Sequence, residues 1–498
     1  MGLIIVLLHS FFNGNMNFFE TGWTDPPLLD YHRFCMPPFP KIRLTRRRDF
    51  TGREVLCYMR HSFFGGVNPA THKESTRRKP IARLEHPPRQ VIIPLAMSSE
   101  VPSIPAVKVG DQVQVGQPVA LGQGLGVSAH ASVSGRVAAI EDRPHPWGGL
   151  SPAIVIDNDG EDTPWPGRPQ PLVPELVTLE LLLGRVREAG IAGMGGAAYP
   201  TGEKLRQAAG KVDTLIVNAA ECEPYLTADY RLLLERSDKI LQGAHTLARA
   251  LGAQRAVVVT EGDKLNAAET VERRLRRSSG KVELCTVRTR YPLGAEKQVI
   301  QTVTGREVPP GGSALDVRCA VLNVATVFAI QDALFKGKAL THRAITVTGG
   351  AVARPRNLWV PIGTPLSCLL ESVGGLREKP DLVLTGGPMM GTPQFDLEAP
   401  VIKSINGLIC LTAAERRGQG RESVCIRCGK CVSACPMHLS PVLIAQALRR
   451  GQTDRLRRLF PQDCMECGCC SYICPARIPL LELVRQAGQL LEKGEAAL

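Results

Sequence analysis

The sequence has no uninterrupted apolar stretch approaching the ~20 residues that a bilayer-crossing helix needs. Its longest early run, Leu3 to Leu8, is far too short and lacks the basic flank of a secretory signal. Any attachment to a membrane is therefore expected to go through partners. Aromatic residues are scarce, at 5%, against 48 glycines and 38 prolines, a balance that calls for many turns and close backbone approaches. The dispersed, paired cysteines of an oxidising compartment are missing too. Nine of the 16 cysteines crowd between Cys425 and Cys474, which points to thiolate ligands in a reducing cytoplasm.

What is present reads as a folded multidomain chain. At 498 residues it exceeds one core and calls for three or more domains, and 44% hydrophobic with 21% charged residues is not a disordered composition. The net charge of +13 suits an acidic protein partner or an anionic membrane surface, or is simply a solvated basic face. Residues 1–58 combine Asn13, Asn15 and Asn17, a cluster at Pro37, Pro38 and Pro40, and the basic run Arg46–Arg48. They read as an unstructured extension or an over-called start, with Met59 as the initiator.

The clearest signal lies near the C-terminus. Cys425-x2-Cys428-x2-Cys431-x3-Cys435-Pro436 is repeated as Cys464-x2-Cys467-x2-Cys470-x3-Cys474-Pro475. This is the spacing of bacterial ferredoxins, in which the fourth cysteine of each run serves the other cluster. One [4Fe–4S] cluster is expected on Cys425, Cys428, Cys431 and Cys474, the other on Cys464, Cys467, Cys470 and Cys435. Zinc is the alternative, but paired Cys-x2-Cys zinc sites do not need the x3-Cys-Pro extension. Cys469 is left outside the ligand set, as packing or as a tuning thiol. Cys222, Cys285, Cys319, Cys368 and Cys410 lack partner spacing and read as small buried hydrophobes.

Upstream, Val107–Val113 alternates like a strand, followed by short strands at Val119–Leu121 and Gly135–Ile140. The string VGDQVQVGQPVA…ASVSGRV resembles a biotinyl/lipoyl hammerhead domain. Gln123–Ala131, where a carrier domain places its modified lysine, contains no lysine, so a structural or docking role is expected. From 174 to 332 the pattern is α/β. Thr178 caps a helix through Val186, and strands at Leu215–Val217, Ala256–Thr260 and Val282–Val287 alternate with helices at Tyr230–Leu251 and Lys264–Arg277. Such alternation implies a parallel sheet whose ligands sit at the carboxyl ends of its strands. Arg343–Leu384 returns to short strands, and Leu443–Arg450 and Thr453–Leu459 read as helices between the cysteine runs.

Gly193-Met194-Gly195-Gly196-Ala197-Ala198-Tyr199-Pro200-Thr201-Gly202-Glu203-Lys204 is a glycine-rich loop ending in lysine. Glycines allow close backbone approach to a phosphate and the lysine supplies counter-charge, although composition alone fits a tight structural loop equally well. It is neither a Walker A loop nor a Rossmann fingerprint in its usual place.

The loop is similar to the GRGGAGFPTGxKW loop of the NADH-oxidising flavoprotein subunit of respiratory complex I. Asn218–Pro224 resembles that family's NADExEP, Tyr291–Glu296 its YxxGEE, and Leu322–Thr326 its NNVET, all in the same order. The spellings GGAAYPTGEK, NAAECEPY and YPLGAEKQ, followed by two ferredoxin runs, resemble more closely the RnfC subunits of ion-translocating electron transport complexes. MRHSFFGGVNPATHKE, from Met59, resembles the N-terminus of those subunits. Met194, Leu205, Ala220, Ala295 and Leu322 depart from the complex I spelling.

The resemblance implies an α/β multidomain architecture. Its parts would be a hammerhead-like β domain (59–165), a Rossmann-type α/β domain binding FMN and NADH (174–335), a β-grasp-like SLBB domain (340–400) and an α-helical 2[4Fe–4S] ferredoxin-like domain (415–485). It implies FMN contacts from Gly193, Gly195, Gly196, Lys204, Asn218, Asn323 and Thr326. Glu221, Glu223 and Glu296 would line the nicotinamide side, and Tyr199 would stack on flavin or adenine. The partners implied are integral-membrane and peripheral subunits of the same complex, a ferredoxin-like subunit among them, with no nucleic acid. The location implied is the cytoplasmic face of the cell inner membrane. The function implied is electron transfer between NADH, FMN and the clusters, coupled to ion translocation. Two other readings stand beside it: a flavin and iron–sulfur diaphorase subunit of a soluble oxidoreductase, and a flavin-free electron wire and scaffold.

Overall fold

The computed structural model describes residues 47–48, 54–55, 62–98, 101–277, 282–416 and 420–495. Most of the expected extension over 1–58, and Met59 itself, lie outside them. Within that region Arg47–Arg48 pairs antiparallel with Glu54–Val55.

Residues 90–158 fold as two small facing sheets. One has the order Gln90–Pro94, Leu150–Asn158, Gly135–Pro144 and Gln112–Val113; the other joins Ile104–Pro105, Pro118–Leu121 and Ala129–His130. Alternate residues Val91, Ile93, Val137, Ile154 and Ile156 point inward and are fully or almost fully buried. Gly135, at φ 146, sits where a β-carbon would run into the Asp157 carbonyl, so only glycine lets these two strands close. The expectation of a strand over Val107–Val113 is corrected. The Asp111 carboxylate accepts from Lys108 N at 2.9 Å and Gly110 takes φ 96, which turns the chain and leaves only Gln112–Val113 extended.

The α/β part is a four-stranded parallel sheet in the order Val282–Val287, Arg255–Glu261, Thr214–Asn218, Cys319–Asn323. Val, Leu and Ile runs with no polar alternation suit strands covered on both faces. Helices Ala228–Leu251, Leu265–Leu275 and Glu296–Thr304 cross over between its strands, Val324–Lys336 leads out of the last one, and Leu179–Glu188 starts at Thr178, whose hydroxyl accepts from Leu181 N at 3.3 Å. The chain order reverses between Thr214–Asn218 and Cys319–Asn323, so Asn218 and Asn323 lie side by side at the carboxyl edge.

A six-stranded mixed sheet follows, in the order Thr392–Pro393, Leu382–Thr385, Gly407–Leu411, His342–Thr348, Arg356–Pro361, Ile81–Arg83. Ile81–Arg83, far upstream in sequence, closes its edge parallel to Arg356–Pro361. The cysteine module is helical: Lys430–Ala434, Pro441–Arg449, Thr453–Arg457, Cys469–Tyr472 and Leu480–Glu495. Ile444, Ala447, Leu456, Val484, Ala487 and Leu491 form its core.

Candidate functional site: the carboxyl edge of the parallel sheet and the cysteine module

Four separate segments converge where the strand order reverses, the position at which open α/β sheets bind ligands. The glycine loop is closed on itself by Gly193 N donating to Tyr199 O at 2.8 Å. Met194 N donates to the buried Thr326 hydroxyl at 3.0 Å, which ties the loop to the first turn of helix Val324–Lys336. A β-carbon on Gly195 would lie 3.2 Å from Asn323 Cβ, while Gly196, at φ 119, has open space beside it. The loop thus presents bare backbone at the sheet edge, a cradle suited to a phosphate or a flat ring.

The side chains around this cradle bind one another. Asn218 Nδ2 donates to Gly294 O at 2.7 Å and its Oδ1 accepts from Ala220 N at 3.1 Å. Asn323 Oδ1 caps its own helix through Ala325 N at 2.8 Å, and its Nδ2 donates to Asp229 at 2.6 Å. Lys204 forms an ion pair with Glu296, joining the glycine loop's helix to the segment after Tyr291. The half-buried Tyr199 has its hydroxyl 3.4 Å from Gln207 Nε2. Glu221 turns at φ 45, and its carboxylate accepts from Asp229 N at 2.8 Å and Tyr230 N at 3.1 Å, capping helix Ala228–Leu251 in place of a local N-cap side chain. Glu223 accepts from Met389 N at 3.1 Å and Met390 N at 3.0 Å on the six-stranded domain.

Burial raises both carboxyls. Desolvation lifts Glu221 above the usual carboxylate range against the pull of Lys73, and pushes Glu223 up to about 7 despite two backbone donors. Lys73 donates to Glu221 O at 2.5 Å and is itself lowered by burial.

In the cysteine module the two runs repeat in conformation as well as in spelling. Arg427 and Glu466, Gly429 and Gly468, and His438 and Arg477 occupy matching places, and all have positive φ. A cavity of about 20 Å³ is lined by Cys435 from the first run together with Cys464, Cys467 and Cys470 from the second. In the other half, Cys431, Cys425 and Cys474 pack into the same apolar cluster. Burial pushes the Cys464 thiol up to about 11 and that of Cys470 up to about 12. Among the described residues no group of three or more His, Cys, Asp or Glu is arranged for a single metal ion. A cubane instead takes one thiolate per corner iron. Cys469, fully buried, hydrogen-bonds to the Cys467 thiol and thereby lowers its pKa.

Four family models match this chain. Residues 186–332 match the Nuo51 FMN-binding domain, 61–161 the RnfC barrel sandwich hybrid domain, 344–393 the SLBB domain and 420–475 the 4Fe-4S dicluster domain. The C subunit of the proton-translocating ferredoxin:NAD(+) oxidoreductase complex of Clostridium ljungdahlii is 42% identical over 78% of this chain and 84% of its own length. Its Na(+)-translocating counterpart from Acetobacterium woodii is 39% identical over 79% and 89%. The C subunit of the ion-translocating oxidoreductase complex of Rhodobacter capsulatus is 40% identical over 79% and 76%. The chain belongs to the RnfC family.

As an RnfC chain it carries an FMN-binding domain joined to a [4Fe–4S] dicluster domain. The positions that depart from the complex I spelling are mostly interior: Met194, Leu205, Ala220 and Leu322 are all buried. Sequence reasoning did not single out Lys73, Asp229, Lys264, Tyr291 or the amides of Met389 and Met390. Lys73 and Tyr291 stand inside strings quoted for the family, but Met389 carries no local signal. A cavity of about 1410 Å³ opens elsewhere, beside Trp165, Arg185, His342 and Trp359, and includes none of the expected site residues.

Proposed function

We propose that this RnfC protein passes electrons between NADH or NAD+ and membrane-bound partner subunits, by way of FMN and two [4Fe–4S] clusters. One observation carries the proposal. Tyr291, in the YPLGAE segment, donates its hydroxyl to Cys467 O at 2.8 Å, so the flavin-type motif and a cluster loop share a hydrogen bond. In this reading Gly193, Gly195 and Gly196 bring backbone to the flavin phosphate and Lys204 supplies charge. Asn218 and Asn323 orient the ring, with Thr326 holding the loop beneath it. Glu221, Glu223 and Glu296 line the nicotinamide side and Tyr199 stacks on flavin or adenine; burial raises the Glu221 and Glu223 carboxyls and so reduces the negative charge facing the nucleotide. Cys425, Cys428, Cys431 and Cys474 hold one cluster, and Cys464, Cys467, Cys470 and Cys435 the other. What flavin supplies is the exchange between hydride chemistry and single-electron transfer.

Ferredoxin:NAD(+) oxidoreduction, named for the Clostridium and Acetobacterium relatives, supports the nucleotide and a ferredoxin-like partner as this chain's own. No described helix is long and apolar enough to cross a membrane, and the chain carries a net charge of +13. Both support a peripheral place on the cytoplasmic face of the inner membrane, held by integral-membrane subunits of an ion-translocating complex.

The test is anaerobic purification with iron, sulfide and released flavin measured, followed by addition of NADH. Bleaching of both flavin and cluster absorbance is the expected result. Clusters without flavin or bleaching would leave an electron wire and scaffold, and zinc in place of iron and sulfide would overturn the redox account. Isolation without membrane subunits, yet with full NADH bleaching, would favour a soluble diaphorase.

A further inference from the structure

We propose that Gly65 and Gly66 are positioning residues that fix the cluster site of Cys435, Cys464, Cys467 and Cys470 against the parallel sheet. The inference rests on the dicluster reading above.

Residues 62–79 form a strap running from the cysteine module across the sheet's carboxyl edge. At its far end Tyr225 N donates to Thr71 O at 2.7 Å, and Thr227 and Thr76 share a buried hydroxyl bond at 2.8 Å. Lys73 reaches Glu221 O, and the His72 and Tyr225 rings stack at 4.8 Å. This end is therefore fastened to the loop that carries Glu221 and Glu223.

The near end touches cluster-site cysteines from both runs. Gly66 N donates to Ala434 O at 2.8 Å, and the Phe64 and His438 rings stack at 4.5 Å, which brackets Cys435. Val67 and Tyr291 exchange backbone bonds of 2.8 and 3.0 Å, and the Tyr291 hydroxyl reaches Cys467 O. One strap thus holds Cys435 directly and Cys467 through a fully packed tyrosine. The Cys425–Cys428 side is free of this clamp: Cys428 is exposed, and Val424 and Ile426 are 86% and 67% exposed.

The contact admits no side chain. A β-carbon on Gly65 would lie 2.7 Å from the Cys435 carbonyl carbon and 2.8 Å from its oxygen, and one on Gly66 would lie 2.5 Å from Tyr291 O. All three are backbone atoms, which cannot swing aside as the end of a flexible side chain does. Both glycines also have φ in the left-handed region, at 72° and 78°. A substitution must move the strap off the module, and with it Cys435. Cluster potentials depend on hydrogen bonding, charge and exposure around the sulfurs, so the displaced site should be readable spectroscopically.

The experiment uses the complex purified anaerobically, with wild type, Gly65→Ala and Gly210→Ala compared. Gly210 has φ 69 and open space around it, so it reproduces the backbone strain without the clash. Expected in Gly65→Ala is an altered paramagnetic signal and midpoint potential for one cluster only, with the other cluster and the flavin content unchanged. NADH should bleach the flavin normally, while cluster bleaching slows. Gly65→Ala indistinguishable from Gly210→Ala, with both clusters present, overturns the proposal. Wild type lacking iron and sulfide overturns the dicluster reading instead. If Gly65→Ala does not fold, Tyr291→Phe decides, because it removes only the hydroxyl that meets Cys467 O. A shift in the same single cluster supports the proposal, and two unshifted clusters overturn it.

Discussion

Glu223 lies so close to Gly387 that a β-carbon on that glycine would be 2.6 Å from Glu223 Cβ and closer still to its carboxyl group. The carboxylate uses this closeness to reach the amides of Met389 and Met390. Gly387→Ala is therefore expected to push Glu223 off both donors and cost about 1–3 kcal/mol, the usual penalty for stranding buried polar groups. Denaturant unfolding measures it. A double variant with Glu223→Ala should recover part of the loss, since removing the carboxylate also removes the clash.

The proposed cross-ligation between the two cysteine runs makes a counter-intuitive pair of variants informative. Cys474→Ser is expected to disturb the cluster of the first run, and Cys435→Ser that of the second. Paramagnetic resonance of the reduced protein distinguishes them by which signal survives in each variant. Identical loss of the same signal in both would refute the crossed assignment.

Lys264 is buried between Glu261, at 2.6 Å, and Asp263, at 2.9 Å, with its side chain only 3% exposed and that of Glu261 wholly covered. Burial opposes its charge, yet the two carboxylates hold its pKa above the ordinary lysine value. Lys264→Met should cost about 3–5 kcal/mol, because Glu261 is then left as an uncompensated buried charge. Adding Glu261→Gln should return a measurable part of that stability.

His130 couples folding to pH. It is 4% exposed, and burial, reinforced by the nearby Lys403, lowers its pKa to about 3 from the ordinary 6.5. Between those values the unfolded chain binds the extra proton. The stability tied to the neutral ring is therefore complete above pH 6.5 and declines as the pH falls toward 3. One such proton contributes a slope of about 1.4 kcal/mol per pH unit. His130→Gln should flatten the stability profile by that slope in this window, and leave the profile above about pH 7 nearly parallel to wild type.

Much of the architecture is legible along the chain because its causes are local. Thr178 announces a helix because its hydroxyl caps residues three positions on. The Val and Ile runs at 214–218 and 255–261 read as buried parallel strands because neither face needs a polar residue. Val107–Val113 misleads for a reason equally local: the Asp111 side chain bonds back to Lys108 and overrides the alternation. Ile81–Arg83 gives no hint of its sheet, because its partner Asn357–Trp359 is brought beside it only by folding.

The iron–sulfur chemistry is written in residue order alone, since eight thiols at repeated spacing impose the same turns twice, and glycines mark the flavin-type loops in the same way. How these parts meet is settled in three dimensions. Folding set Asn218 beside Asn323, Glu223 on the amides of Met389 and Met390, and Gly65 against Cys435. Such contacts join segments far apart along the chain, and they depend on backbone groups that every residue carries, which leaves no trace in the spelling.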